Sequence, residues 1–192
     1  MRTDEELAKL SLKDDKAFAE LVSRYLKRIY NFVYRYVQNR NDAEDIAQGV
    51  FIKAWKNIKK FNPDRKFKVW LFVIAKNTAF DWLRKSRSAS GGKKTLTFSQ
   101  FETDEGENPL IENLEDTASL PPEIFAKKEL EKELEIALKN LNPIDRAILT
   151  LHYSDELTFE EISEILGKPM NTVKSRHQRA ILKLRTYLMH QK

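Results

Sequence analysis

The chain has no cysteine among its 192 residues, and only five glycines and six prolines. Without thiols, disulfides, thiolate nucleophiles and cysteine-ligated zinc are excluded. So few turn formers argue against a β-rich domain. No apolar run approaches the roughly 18–20 residues of a membrane span. The opening MRTDEELAKL also lacks the apolar core of a secretory leader. A cytoplasmic protein with no membrane insertion is therefore expected. His152, His177 and His190 are scattered without a ligand pattern, and no Walker loop is present. No cofactor is expected, and no enzymatic activity. Asp42, Glu44 and Asp45 could form a weak metal site for a nuclease, but an acidic first helical turn explains them better.

What is present points to helices. Hydrophobic residues make up 41% of the chain and charged residues 33%, with Leu, Lys, Glu, Ala and Ile prominent. That composition predicts an all-α fold. The net charge of +5 conceals a strong asymmetry. Residues 1–90 hold 20 Lys/Arg against 11 Asp/Glu, residues 91–126 hold 2 against 8, and residues 127–192 hold 12 against 10. All ten of the last acids precede Lys168. Two basic modules flanking an acidic stretch suggest two contacts with a polyanion.

The C-terminal part reads as helix, tight turn, helix. Thr158 and Glu161 form a T-x-x-E capping box, followed by an apolar stripe of Phe159, Ile162, Ile165 and Leu166. Gly167 supplies the left-handed conformation that ends many helices, Pro169 stops propagation, and Asn171 can cap the next helix. In TVKSRHQRAILKLRTYL, helical spacing puts Val173, His177, Ala180, Ile181, Leu184 and Leu188 on one face. Ser175, Gln178 and Arg179 lie opposite, flanked by Lys174, Arg176, Lys183 and Arg185. A helix that buries one face and offers hydroxyl, amide and guanidinium groups on the other suits the DNA major groove.

Four helices are expected in the N-terminal block. A short one covers Asp4–Leu12, and a long one starts near Asp14 with Phe18, Leu21, Val22, Tyr25, Ile29, Phe32, Val33 and Tyr36 at helical spacing. A third, capped by Asn41, turns Ile46, Val50, Phe51, Ala54, Trp55 and Ile58 one way. A fourth runs from about Lys66 to Lys85, with Phe67, Trp70, Leu71, Ile74 and Trp82 as its apolar side. The stretch from Ser86 to Pro122 has no sustained helical period and reads as an acidic linker. A charged helix from Glu123 to Leu141 follows. Asn142-Pro143 then starts a helix through Tyr153, with proline at its first position.

With these segments in place, two blocks resemble a known family. DAEDIAQGVFIKAWKNIKKF and FKVWLFVIAKNTAFDWLRK look like region 2 of bacterial sigma factors. LNPIDRAILTLHYSDELTFEEISEILGKPMNTVKSRHQRAILKL is similar to their region 4. Two such blocks joined by a linker resemble the extracytoplasmic-function (ECF) class. The resemblance implies a region 2 domain at 1–86, an acidic linker at 87–122 and a region 4 helix-turn-helix domain at 123–192. It implies a factor that binds core RNA polymerase, directs it to promoters, and answers to an anti-sigma factor.

The resemblance also assigns residues. Asp45, Gln48 and Phe51 would dock on the largest polymerase subunit, while Asp42 remains a helix-dipole residue. Gly49 stands where the family usually has glutamate, at a cost of about 1 kcal/mol to the helix relative to alanine. Asn77 and Phe61 match a pocket for a flipped base of the −10 element, with Phe61 equally readable as a core ring. An amide offers donor and acceptor to a base edge, and an aromatic offers a wall. Lys76, Arg84, Lys85 and Arg87 would contact phosphates, and Trp70 reads as core. Ser175, Gln178 and Arg179 fall on the −35 base-reading positions. Lys174, Arg176 and Lys183 would grip phosphates, which position without specifying. An ordinary helix-turn-helix repressor would explain the C-terminal block but leave the basic, aromatic-rich N-terminal block unused.

Overall fold

The computed structural model describes residues 2–89, 134, 136–138 and 140–189. The described residues are helical wherever they are regular: α1 (Asp4–Leu10), α2 (Asp15–Val37), α3 (Arg40–Asn57), α4 (Phe67–Ala89), α5 (Pro143–Leu149), α6 (Phe159–Leu166) and α7 (Met170–Met189). A short 3-10 turn, Ile58–Lys60, follows α3, and a π-type turn, Thr150–Ser154, continues α5. By contact the chain forms two compact units. The first holds α1 to α4 together with Glu160–Gly167, and the second holds the π turn, α5 and α7.

In the first unit, α1 begins with a complete capping box between Thr3 and Glu6. It is tied to α2 by Asp4, which takes hydrogen bonds from Arg24, at 2.6 Å, and from the Tyr25 hydroxyl. Burial and the Asp4 carboxylate push the Tyr25 phenol above its ordinary range. Glu5 Oε1 accepts from the Phe67 backbone N–H at 2.9 Å, which satisfies an open donor at the start of α4. Leu21, Ile29, Phe32 and Val33 of α2 are fully covered, and the Phe32 ring stands edge-on to Phe72 at 5.2 Å. α2 ends at Gln38, left-handed at φ 55, and Asn39 caps α3 by accepting from Asp42 N–H. The cap is thus Asn39 and not Asn41, which already lies inside the first turn of α3. Glu161 and Glu164 join this unit through Lys66, at 2.6 Å, and Arg65, at 2.9 Å.

The apolar side of α4 is rotated from the expected one. Phe67, Val69, Leu71, Phe72, Ala75 and Ala79 are buried, whereas Trp70, Ile74 and Trp82 keep part of their surface in water. The helix also continues to Ala89, so residues 87–89, expected in the linker, are helical. The rest of the 87–122 stretch, and most of the charged helix expected from Glu123, lie outside the described residues.

In the second unit, Asn142 caps α5 by accepting from Ile144 N–H at 2.9 Å, with Pro143 at the first position. Ala180, Ile181 and Leu184 of α7 pack on Leu134, Ala137, Leu141 and Leu149. Leu188, expected on the buried face, is only partly covered. Beside them, His177 Nε2 lies 3.1 Å from the Tyr153 hydroxyl, and its ring meets Phe159 at 5.0 Å. Gly167 is left-handed at φ 67, as the turn before α7 requires. α7 begins at Met170, and the Pro169 carbonyl accepts from Val173 N–H at 3.1 Å. Asn171 therefore lies inside the first turn and does not cap it.

Candidate functional site

Three outward faces carry the expected functional residues. The first is on α3. Asp45 and Gln48 are exposed there, one turn apart. Phe51 is not with them: it is 7% exposed and belongs to the core of the first unit. Six residues after Asp45, it lies about 120° from it around the helix, past Gln48 on the side that turns into the core. The residues that do share the face of Asp45 and Gln48 are Ile52, 55% exposed, and Trp55, 39% exposed. Trp55, expected to be buried, rests one side of its ring on Phe18 at 4.9 Å. The signal for both was in the sequence, since Ile52 follows Asp45, and Trp55 follows Gln48, by seven residues. The result is an acid, an amide and two large apolar side chains in one stripe. Gly49 sits within it, and a Cβ added there would meet nothing within 4 Å.

The second face is on α4. Asn77 is exposed and Lys76 half-buried, with Trp70 on the same side two turns earlier. Phe61 is 8% exposed, and Phe67 and Trp70 pack around its ring at 5.5 and 5.3 Å. That is the position of a core ring, so Phe61 forms no open wall for Asn77, and the partly exposed Trp70 lies about 10 Å away along the helix axis. Farther along, Arg84 and Lys85 are exposed, and Arg84 pairs with Asp81 at 3.0 Å. The side chain of Arg87 lies outside the described residues.

The third face is on α7. Met170–Met189 contains five Lys/Arg and no Asp/Glu. Lys174 and Lys183 are exposed, while Ser175, Gln178 and Arg179 are partly exposed on the side away from the buried stripe. The Ser175 hydroxyl donates to the Thr172 carbonyl at 3.1 Å, and Arg179 Nε donates to the Ser175 carbonyl at 3.4 Å. Arg176 departs from expectation. Its guanidinium turns onto α5, where Nη1 lies 2.8 Å from Asp145 Oδ1, so it is drawn away from a DNA backbone. Two residues before Gln178, it stands at the border of the buried stripe, close enough to reach a carboxylate on the neighbouring helix. Burial pushes the Asp145 carboxyl above its ordinary range, and nearby Arg176 and Arg179 partly oppose this.

Among the described residues, no group of three or more His, Asp or Glu side chains is placed to hold a metal ion. No described helix is long and apolar enough to cross a membrane.

Comparison with known proteins gives the two halves separate matches. Residues 21–89 match the model for Sigma-70 region 2, and residues 137–186 match that for Sigma-70, region 4. The ECF RNA polymerase sigma factor SigW of Bacillus subtilis is 35% identical over 182 residues, spanning 91% of this chain and 90% of that protein. The ECF RNA polymerase sigma-E factor of Haemophilus influenzae is 34% identical, spanning 93% and 91%. Among solved structures, the sigma factor RpoE of Bartonella quintana, in complex with the anti-sigma factor NepR, has the same fold. Its TM-score is 0.67 at 22% identity, over 91% of this chain and 98% of that one.

Proposed function

Since the chain belongs to the ECF RNA polymerase sigma factors, we propose that its three outward faces divide the work of promoter recognition among polymerase, −10 strand and −35 duplex. The chain is a transcription initiation factor that binds core RNA polymerase and directs it to promoters. In this reading the region 2 domain runs to residue 89, where α4 ends, the acidic linker lies between it and residue 122, and the region 4 domain covers 123–192. The observation that carries the division is the chemical contrast of the faces. On α3, Asp45, Gln48, Ile52 and Trp55 combine acid and apolar surface, as protein interfaces do. On α7, with Arg176 turned to Asp145, four cations, Lys174, Arg179, Lys183 and Arg185, remain on a helix without one acid, as on a duplex-binding helix.

In this reading α3 docks on polymerase. Asn77 takes an unstacked base of the −10 strand, and Lys76, Arg84 and Lys85 follow its phosphates. Ser175, Gln178 and Arg179 address −35 base edges, while Lys174 and Lys183 hold the flanking backbone. Arg176 supports the helix from behind. The protein acts in the cytoplasm, where polymerase is, and an anti-sigma factor is its expected regulator. A base can be read at Asn77 only after the strands part, so the free chain should open no promoter. Permanganate footprinting of a cognate promoter tests this: reactive −10 thymines should appear only when core enzyme is added. Opening by the free chain would overturn the reading.

A further inference from the structure

The arginines of α7 are of two kinds. Arg179 lies on the side away from the buried stripe, whereas Arg176 is held by a carboxylate 31 residues earlier in the chain. Both partners of that pair are largely withdrawn from water, with 14% and 9% of the Arg176 and Asp145 side chains exposed. The carboxylate itself is firmly mounted. Asn142 caps the helix that bears Asp145, and the next residue, Arg146, is buried and donates through Nη2 to the Leu141 carbonyl at 3.1 Å. The Thr150 hydroxyl in turn donates to the Arg146 carbonyl at 2.9 Å.

Stability is a weak reason for such a pair. Two charges taken out of water regain about what they lose, and well-packed apolar residues often do as well or better. The upward push on the Asp145 carboxyl agrees with that. What the pair adds is direction. Apart from the hydrogen bond between His177 and Tyr153, at 3.1 Å, much of the α7 contact is made by small and aliphatic side chains, Ala180, Ile181 and Leu184, whose packing tolerates rotation and sliding. A salt bridge joined by a hydrogen bond does not. With side chains reaching about 5–6 Å from a helix axis, a turn of about 20° moves their ends by about 2 Å. That displacement is enough to break a hydrogen bond to a base edge.

We propose that Arg176 is a positioning residue: its pairing with Asp145 fixes the rotation of α7, so that Gln178 and Arg179 meet the bases in register. The proposal rests on the reading of α7 as the −35 helix. It predicts that Asp145, which lies on another helix and faces away from DNA, governs −35 sequence preference.

The test uses holoenzyme assembled from the full chain and core polymerase, with binding measured on a randomised −35 library at several salt concentrations. Asp145→Asn and Arg176→Ala should each lower discrimination among −35 sequences about fivefold or more, the size of one bidentate base contact. The double variant should do no worse than either single one, and the slope of affinity against salt should stay native. Circular dichroism confirms folding, and Asp145→Asn, nearly isosteric, keeps the test open should Arg176→Ala unfold. If Arg176→Ala weakens all sequences alike and lowers the slope by about one while Asp145→Asn changes nothing, Arg176 grips phosphate and the proposal fails. It also fails if both variants lose thermal stability but keep native discrimination, because the pair is then structural only. Gln178→Ala and Arg179→Ala run beside them. If those too leave preference unchanged, α7 does not read the −35 element, and the proposal falls with that reading.

Discussion

α3 and α7 are helices of similar length that each bury one side, yet their outer sides differ in kind. On α3, acids and bases are balanced, and the outward stripe carries an indole and an isoleucine. On α7, the outward side between the exposed end residues Met170 and Met189 is polar and cationic, and Val173, Ile181 and Leu184 turn inward. A protein partner rewards exposed apolar area, since burying it removes it from water. A duplex rewards cations, since each phosphate contact releases counterions. On the proposed reading, the two helices let one chain hold a protein and a nucleic acid at once without either surface competing for the other's ligand.

The comparison can be broken most severely within α3 itself. Phe51 and Ile52 are neighbours in sequence but belong to different environments, core and surface. Phe51→Ala should cost about 3–5 kcal/mol of stability, the usual range for removing a buried phenylalanine. Ile52→Lys should leave stability within about 0.5 kcal/mol, as for other surface changes, yet weaken binding to core polymerase. Chemical denaturation and a polymerase pull-down measure the two quantities. A large loss of stability from Ile52→Lys would place that side chain in the core and remove the apolar stripe from the docking surface.

A second pair sharpens the contrast between the helices. Lys183→Ala should lower the salt slope of promoter binding by about one unit, because one phosphate contact is lost, and should weaken all −35 sequences alike. Asp45→Asn should leave that slope unchanged and slow assembly with core polymerase, because a rim charge acts chiefly on the rate of association. Titrations at several salt concentrations and stopped-flow assembly read the two effects. If Asp45→Asn changes the DNA slope, or Lys183→Ala the assembly rate, the faces are not separate.

Much of this was legible in the sequence, for identifiable reasons. α2 alternates cleanly between apolar and polar positions, so its buried side followed from period alone. The turn before α7 was legible because Gly167 and Pro169 leave few alternatives. α4 was not, since Phe67, Val69, Trp70, Leu71, Phe72, Val73 and Ile74 are apolar on all sides and only packing decides which of them are covered. Phe51 was misplaced because motif resemblance, and not helical phase, assigned it outward. The Asp145–Arg176 pair lies beyond any local pattern: it depends on how α5 and α7 pack, and a basic residue at the edge of a cationic helix otherwise looks like a phosphate contact.

The finest distinction concerns two glycines, one inside each of the structures compared. Gly49 has ordinary helical backbone in α3 and open space where a Cβ would stand. Gly167, at the turn before α7, has φ 67, which side-chain-bearing residues adopt only with strain. Replacing both by alanine should therefore act in opposite directions. Gly49→Ala should stabilise the first unit by about 0.5–1 kcal/mol, because alanine restricts the unfolded chain and favours the helix. Gly167→Ala should destabilise by about 1 kcal/mol, because the left-handed conformation must be kept to enter α7. Gly49→Glu, the residue usual in the family, should also raise stability, and it places a carboxylate in the stripe proposed to face polymerase. Thermal unfolding of the three variants at one pH and salt concentration decides the signs. A loss of stability from Gly49→Ala would mean that α3 needs a bare backbone there, for a close approach that its own unit does not make.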